Sequence, residues 1–417
     1  MQSFCIFVFM NNHAPTKNPF NIIVIVAALG YFVDIYDLIL FGIVKDPSLR
    51  AIGVKEEDLF SVGTHLLNMQ MIGMLLGGIA WGILGDKKGR LSTLFLTILL
   101  YSLANIANGF VQTVEQYEWL RFIAGFGLAG ELGVGITLVS EVMSKESRGI
   151  GTSIVSGIGI AGAVLGFLVA DFFDWRVAYW VGGGLGLLLL IMRISVYESG
   201  MFEKTKLEDV KRGDFISLFT NGKRFKKYLF SILVGVPVWY VISQLAIHAS
   251  TYAKEIGITE KVLGANAVMY HYIGASVGSL LFGFISEKLK SRKKVLYIAA
   301  CSMGVFIAAY FFPLSTSAAA FYCVIGALGI SMGGLWSIFM LNASEQFGTN
   351  IRSTVTTTAP NFVRGITVPV SMGIASLMST HGLWTAGLIV GAICIILSLI
   401  SIYGTEESYG KNLDYNE

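Results

Sequence analysis

The sequence predicts an all-α membrane protein with twelve transmembrane helices arranged as two pseudo-symmetric six-helix bundles. Three observations predict it: 54% of the 417 residues are hydrophobic and only 14% charged, twelve apolar runs reach bilayer-spanning length, and polar loop patterns occur twice. A soluble domain this apolar would lack the polar surface that keeps it dissolved, so composition alone places the chain in lipid. The 48 glycines against 7 prolines fit the same class, because small residues let helix backbones approach where water supplies no drive for association.

Taken in order, the first ten residues, "MQSFCIFVFM", are apolar but too short to span. They lack the basic start and small-residue cleavage site of a secretion signal, so residues 1–19 read as a flexible or interfacial tail. Runs of about twenty apolar residues, the length that matches a hydrocarbon core, follow at 20–44, 59–84, 91–111, 117–142, 149–172 and 177–196. After a polar stretch come 228–252, 262–286, 294–312, 318–343, 354–379 and 383–403. Helix is the required element, because lipid offers no water to open backbone groups and the runs lack the alternation of a barrel strand. The chain therefore divides into a first bundle (20–196), a cytoplasmic linker (197–227), a second bundle (228–403) and a cytoplasmic tail (404–417).

Basic residues crowd one alternating set of loops: Lys87, Lys88 and Arg90, then Lys145 and Arg148, the linker with Lys204 to Lys227, the run Lys288 to Lys294, and Arg352. The opposite loops hold only Lys45, Arg50, Lys55, Arg176, Lys254 and Lys261. By the positive-inside rule the first set and both termini face the cytoplasm. Short loops and the absence of a targeting peptide favour a bacterial inner membrane.

Two loop patterns repeat. "GILGDKKGR" (Gly82 to Arg90) follows the second run and "GFISEKLKSR" (Gly283 to Arg292) the eighth. "SEVMSKESRGIGT" follows the fourth and "SEQFGTNIRSTVT" the tenth, so Glu141 precedes Arg148 by seven residues as Glu345 precedes Arg352. Coincidence at two equivalent loops is improbable, and the chain reads as an internal duplication. Six plus six helices about a pseudo-twofold axis suit rocking about a central site.

On these residues the sequence resembles the major facilitator superfamily of transporters. Gly82, Asp86, Lys87, Gly89 and Arg90 match the signature between its second and third spans. "RFIAGFGLAGE" (Arg121 to Glu131) resembles the fourth-span motif of sugar porters and bacterial metabolite:proton symporters, and "SEVMSKESRG" their following loop, without its usual prolines. "DIYD" (Asp34 to Asp37) looks like the first-span motif of the aromatic-acid and metabolite:proton symporters. The resemblance implies the major facilitator fold and an inner gate. Gly82 would let the second helix meet the eleventh, and Asp86 would sit at a helix N-terminus, where a negative charge gains about 0.3 to 1 kcal/mol. Arg90 would cluster with Glu141 and Arg148, with Glu287, Glu345 and Arg352 as the weaker counterpart.

Ionisable residues deep in a span cost several kcal/mol when isolated and point to function. Besides Asp34 and Asp37 they are Arg121 and Glu131 in the fourth run, His271 in the eighth and Arg364 in the eleventh. At about 1.5 Å rise per residue, Asp37 reaches the level of Arg121, and Asp34 lies nearer that of Glu131. The sugar-porter resemblance likewise pairs Asp37, within Tyr36-Asp37, with Arg121. Three acids against one base exceed what a structural pair needs, which points to proton coupling, with Asp34 or Glu131 as the carrier. An acid facing an apolar cavity has its pKa raised, whereas one beside a permanent cation stays ionised.

Arg364 sits in "TTTAPNFVRGITVP" between Pro360 and Pro369, one turn after Asn361. A planar guanidinium there suits a substrate carboxylate, held by two parallel hydrogen bonds; the competing role is to neutralise an acid of the other bundle. Gln244 and Trp239 in the seventh run and Tyr36 in the first complete the candidate substrate residues, together with His271, which reads equally as a helix-interface histidine.

The net charge of +3 is spread over loops and implies no nucleic-acid partner; Cys5, Cys301, Cys323 and Cys394 show no metal or paired spacing. No phosphate-binding loop and no nucleophile with a nearby base appear, so the chain is not an enzyme and no cofactor is expected. Without an ATP site, an ion gradient supplies the energy. The reading is a monomeric symporter that takes a small polar, carboxylate-bearing metabolite into the cell with protons. A proton-driven exporter of drugs or siderophores competes, weakened by the missing Gly-Pro pair in the fifth run. A sensor or scaffold would carry a soluble domain that this chain lacks.

Overall fold

A computed structural model describes residues 18–192 and 210–417. Almost all of the tail expected at 1–19 and the first part of the linker expected at 197–227 lie outside the described residues.

The first half contains α1 (Ile22–Ala51), α2 (Leu59–Lys88), α3 (Arg90–Asn108), α4 (Val114–Val142), α5 (Arg148–Phe172) and α6 (Trp175–Met192). The second contains α7 (Gly222–Ala246), α8 (Gly264–Leu289), α9 (Arg292–Phe311) and α10 (Ala318–Gln346), then one long helical stretch, Arg352–Gly404. Gly382 interrupts that stretch at φ 78°, ψ 163°. It thereby separates α11 (352–381) from α12 (383–404) and completes the twelve spans that the hydropathy predicts.

Side-chain caps set several helix starts. Asn21 Oδ1 accepts from the backbone N–H of Ile23 and Val24 at 2.9 and 3.1 Å. Asn221 does the same for Lys223 and Arg224 at 3.0 and 3.2 Å, so α7 begins six residues before its apolar run and carries the basic run Lys223 to Lys227. Such caps satisfy N–H groups that the first turn leaves without a partner. At its other end α1 continues through Lys45 and Pro47 to Ala51, past the apolar boundary expected at residue 44.

Four helices carry a local interruption of the hydrogen-bond ladder at which the dihedrals stay right-handed. Ala129 and Gly130 divide α4, Ala161 divides α5, Gly235 divides α7 and Ile366 divides α11. In α7 and α11 the cause is readable: a proline ring crowds the carbonyl four residues earlier, and Pro237 and Pro369 place that clash at Leu233 and Gly365. Val241–Ala246 of α7 is π-helical, a form that concentrates at functional sites.

The halves meet along two equivalent seams, α2 against α11 and α5 against α8. A Cβ on Gly82 would lie 2.9 Å from Thr354 Cα, and one on Gly283 would lie 1.9 Å from Ser153 Oγ. These two glycines open the two repeated loop patterns, so the duplication in the sequence reappears as a duplicated seam.

Candidate functional site

Between the halves lies a small cavity of about 20 Å³ whose lining includes Tyr31, Trp239, Tyr272, Trp336 and Arg364. Tyr31, Ile35 and Leu38 come from one face of α1 at i, i+4 and i+7 spacing. The Arg364 guanidinium stands 5.9 Å from the Trp239 ring centre and 6.0 Å from that of Trp336, within cation–π range of both. Its NH1 donates to Asn361 Oδ1 at 2.8 Å, while Nε has no protein acceptor. Asn361 in turn donates to the carbonyl of Ala129 at 3.1 Å, at the break in α4. Trp336 Nε1 donates to Tyr31 Oη at 3.1 Å and spans the halves beside the cavity.

The acids of α1, Asp34 and Asp37, are fully buried, and neither is among the residues that line this cavity. Neither Asp34 oxygen has a hydrogen-bond partner; its charged neighbours are Arg364 from the second half and Glu131 from the first. Glu131 opens the second segment of α4, where the helix N-terminus favours a negative charge. Asp37 lies beside Arg121 and Asn105. Gly182 of α6 makes room for it, since a Cβ there would fall 2.2 Å from Asp37 Oδ1.

The direct ion pair expected between Asp37 and Arg121 is not formed. Arg121 instead donates from Nε to Asn108 at 3.2 Å and from NH2 to Asn105 at 3.0 Å. Its guanidinium rests 4.9 Å from the ring centre of Tyr179, with Phe41 and Tyr117 at 5.6 and 5.9 Å. Amides and rings therefore hold the cation, and Asp37 feels it as a neighbouring charge.

Three expected substrate residues are placed elsewhere. His271 is fully buried in the seam between α8 and α10, where a Cβ on Gly329 would lie 2.1 Å from its carbonyl oxygen; the next residue, Tyr272, lines the cavity instead. Tyr36 faces α6 and donates to the carbonyl of Ala178 at 2.9 Å. Gln244 spends its amide on Ser243 and Ser371, at 3.2 and 2.9 Å, within the second half. Trp239 alone lines the cavity as expected beside Arg364. Tyr31 shares a helix face with Asp34, and that spacing was the available signal for it; Trp336 carried none beyond its own residue type.

At the basic-loop face Asp86 accepts from the N–H groups of Ser353 and Thr354 at 3.0 and 2.8 Å and from Thr354 Oγ1 at 2.7 Å. The helix N-terminus it caps is that of α11, across the seam. Gly89, at φ +110°, takes the positive φ that separates α2 from α3. Arg90 donates to Glu141 at 2.9 Å and to the carbonyl of Thr349 at 2.9 Å. Lys87 is exposed, and the ion pairs run through its neighbours instead.

The two charge clusters exchange their last arginine. Arg352 crosses to Glu141 at 2.8 Å, and Arg148 crosses to Glu345 at 3.6 Å. Arg148 thus leaves the Arg90 cluster in which it was expected and joins Glu345, Glu287 and Arg292. Arg292 NH1 donates to Glu287 at 2.7 Å and its Nε reaches Glu345 at 3.3 Å. Arg292 is the counterpart of Arg90 with one residue inserted, which hid it from a comparison at fixed offset. Lys290, at φ +48°, stands at the bend that Gly89 makes in the first copy.

The sequence profile of the Major Facilitator Superfamily matches residues 27–367. The chain belongs to the Major Facilitator Superfamily. As a member of that superfamily it is a multi-pass membrane transport protein and not an enzyme. It is 26% identical to the probable 4-methylmuconolactone transporter of Cupriavidus pinatubonensis over 392 residues, 90% of this chain and 87% of that one. It is 24% identical to the niacin transporter NiaP of Acinetobacter baylyi, over 93% of this chain and 94% of that one. Among solved structures the proton:xylose symporter XylE bound to 6-bromo-6-deoxy-D-glucose superposes with a TM-score of 0.76 at 16% identity, covering 94% of this chain and 97% of the other. At that identity the likeness establishes the superfamily fold.

Proposed function

We propose that the protein is a proton-coupled symporter that carries a small carboxylate-bearing metabolite into the cell by alternating access. The observation that carries the reading is Arg364: a buried guanidinium at the midplane, between two indole rings, with Nε unoccupied and the unpartnered Asp34 in its field. A substrate carboxylate completes the hydrogen bonding of the guanidinium. It also competes with Asp34 for the same positive charge, so binding of the anion favours a proton on Asp34. Substrate and proton would then load together, with Glu131 as the neighbouring acid able to exchange that proton.

Relatives whose names specify niacin and cis,cis-muconate support an acidic, unsaturated substrate. In this reading the basic-loop face is cytoplasmic, the ion-paired residues from Asp86 to Arg352 form the inner gate, both termini lie inside, and the membrane is a bacterial inner membrane. The working unit is a monomer of two bundles, with no cofactor beyond the proton gradient.

The test is a thermal-shift screen of purified protein against organic acids, amino acids, sugars and siderophores at two pH values, followed by uptake into vesicles with an imposed proton gradient. A carboxylate should raise the melting temperature, more strongly at the lower pH. It should also accumulate when the outside is acid. Stabilisation by uncharged ligands alone, or accumulation indifferent to the gradient, would remove the reading; extrusion of a drug or siderophore against the gradient would make the protein an exporter.

A further inference from the structure

Residues 405–417 return across the basic-loop face after α12. Glu407 accepts the hydroxyl of Ser291 and, at 2.9 Å, the N–H of Arg292. Ser408 Oγ lies 2.8 Å from Glu345 Oε2 and 3.0 Å from Asn342 Oδ1. The Arg292 guanidinium covers the ring of Tyr409 at 4.7 Å. Further on, the carbonyl of Lys411 accepts from Arg148 NH2 at 3.0 Å, and that of Leu413 accepts from Arg352 NH2 at 2.6 Å. Leu413 itself is 1% exposed. Glu417 binds Arg224 and Lys227 at 2.9 and 2.5 Å.

The chemistry explains why the segment docks there. Each guanidinium offers five N–H donors in a fixed fork, more than the buried carboxylates around them can meet. Main-chain carbonyls of the segment take the surplus from Arg148 and Arg352, and Tyr409 covers the face of Arg292. The segment also fixes the loop between α10 and α11. Thr349 donates its N–H to the carbonyl of Tyr415 at 2.8 Å and its hydroxyl to that of Leu413 at 2.9 Å. The carbonyl of Thr349 is in turn an acceptor for Arg90 of the first half. Through Thr349 and Arg148, the segment is tied to both halves at the seam.

We propose that residues 405–417 are a latch that holds the basic-loop face closed, and that this face opens only when the segment releases Thr349, Arg352 and Arg148. The proposal does not depend on the substrate or on proton coupling; it needs only that transport open this face.

The test uses the full chain in a cysteine-free background carrying Thr356→Cys as a reporter, because Thr356 meets Thr137 across the halves at 2.6 Å. Maleimide labelling from the basic-loop face reads opening. Leu413→Asp expels the buried anchor while leaving the gate arginines themselves unsubstituted, and should raise the labelling rate about tenfold, the scale set by the charge-assisted hydrogen bonds released. A second variant adds Ser408→Cys and Asn342→Cys, which pins the segment to α10 when oxidised. Labelling should then fall below that of the reduced form and recover with reductant. Equal labelling of the oxidised and reduced pair overturns the latch, as does unchanged labelling in a folded Leu413→Asp; should that variant not fold, the disulfide pair decides alone.

Discussion

Arg364 and Asn361 form a single unit across one helical turn: Arg364 NH1 donates to Asn361 Oδ1 at 2.8 Å while the Asn361 amide donates to Ala129 of the other half at 3.1 Å. The side chain that orients the guanidinium therefore also reports whether the two halves are in contact at the break in α4. Arg364→Lys keeps the charge and loses the fork. Since hydrogen bonds to charged groups contribute about 1.5 to 3 kcal/mol, carboxylate affinity should fall at least about tenfold, with little change in melting temperature. Quenching of tryptophan fluorescence on titration measures this, because Trp239 and Trp336 flank the site. Unchanged affinity would remove Arg364 from the binding site.

Asp34→Asn fixes the uncharged form of the carboxyl group. Uphill accumulation driven by a proton gradient should be abolished in this variant, while exchange of labelled for unlabelled substrate persists, because exchange needs no net proton movement. Glu131→Gln should separate the two activities in the same way if it lies on the proton path. Vesicle uptake with and without an imposed gradient compares the two. Full gradient-driven accumulation in both variants would defeat the coupling role.

How much of this was legible beforehand follows from the kind of signal each feature leaves. Hydropathy gave all twelve spans because length and apolarity are one-dimensional, and the paired glycines Gly82 and Gly283 marked the seams because close helix approach demands a small residue at a fixed place. The helix ends at Asn221 and Ala51 were missed, since capping and lateral packing override a hydropathy boundary. The exchange of Arg148 and Arg352 between clusters is a tertiary fact: each arginine starts a helix of one half and points at an acid of the other, and spacing along the chain shows only the acid nearby in sequence. Tyr36 was misplaced, and His271 takes the helix-interface place of its two readings, because a polar residue in a span can face either its own bundle or the cavity. The Tyr31, Ile35, Leu38 periodicity settles this for α1, whereas α8 gives Tyr272 the cavity and His271 the α10 interface.

Gly82→Leu should open the seam it now closes. A Cβ at this position meets the backbone of Thr354 at 2.9 Å, and backbone cannot swing aside as a side-chain tip can. Overpacking of this sort costs about 1 to 3 kcal/mol, levied on the conformation in which α2 and α11 touch. A cysteine pair at Gly85 and Ser353, where a Cβ on Gly85 would lie 2.2 Å from Ser353 Oγ, should crosslink readily in the parent and several-fold more slowly with Gly82→Leu. Equal crosslinking would show that the seam is not set by this glycine.

Glu141→Gln removes the negative charge that Arg90 and Arg352 share at 2.9 and 2.8 Å. Breaking a buried pair by deleting one partner costs about 3 to 5 kcal/mol, because a charge is left without compensation. Two cations here lose one anion, so the variant should label faster at Thr356→Cys from the basic-loop face. Glu345→Gln, which deprives Arg148 and Arg292, should act in the same direction through the second cluster. The pseudo-twofold exchange requires both effects; a response to only one variant would show that a single cluster carries the seam.

The docking of residues 405–417 should weaken in acid. Burial raises the pKa of Glu407, but hydrogen bonds from the Ser291 hydroxyl and from the N–H groups of Tyr409, Arg292 and Lys293 outweigh it and hold the carboxyl below its ordinary value. A pKa lower in the docked than in the free state means that docking is fully supported above the free value, about 4.3 for a glutamate, and that this support is lost as pH falls through the docked value. Amide exchange at Ser408 and Tyr409, whose N–H groups both donate to Glu407 at 2.9 Å, reads the effect directly. After correction for intrinsic exchange, protection should decline on acidification below that range in the parent. In Glu407→Gln it should be low and flat over the same interval, since the amide neither titrates nor matches the carboxylate as an acceptor for five donors. A parent profile as flat as the variant's would mean that Glu407 does not anchor the segment through its charge.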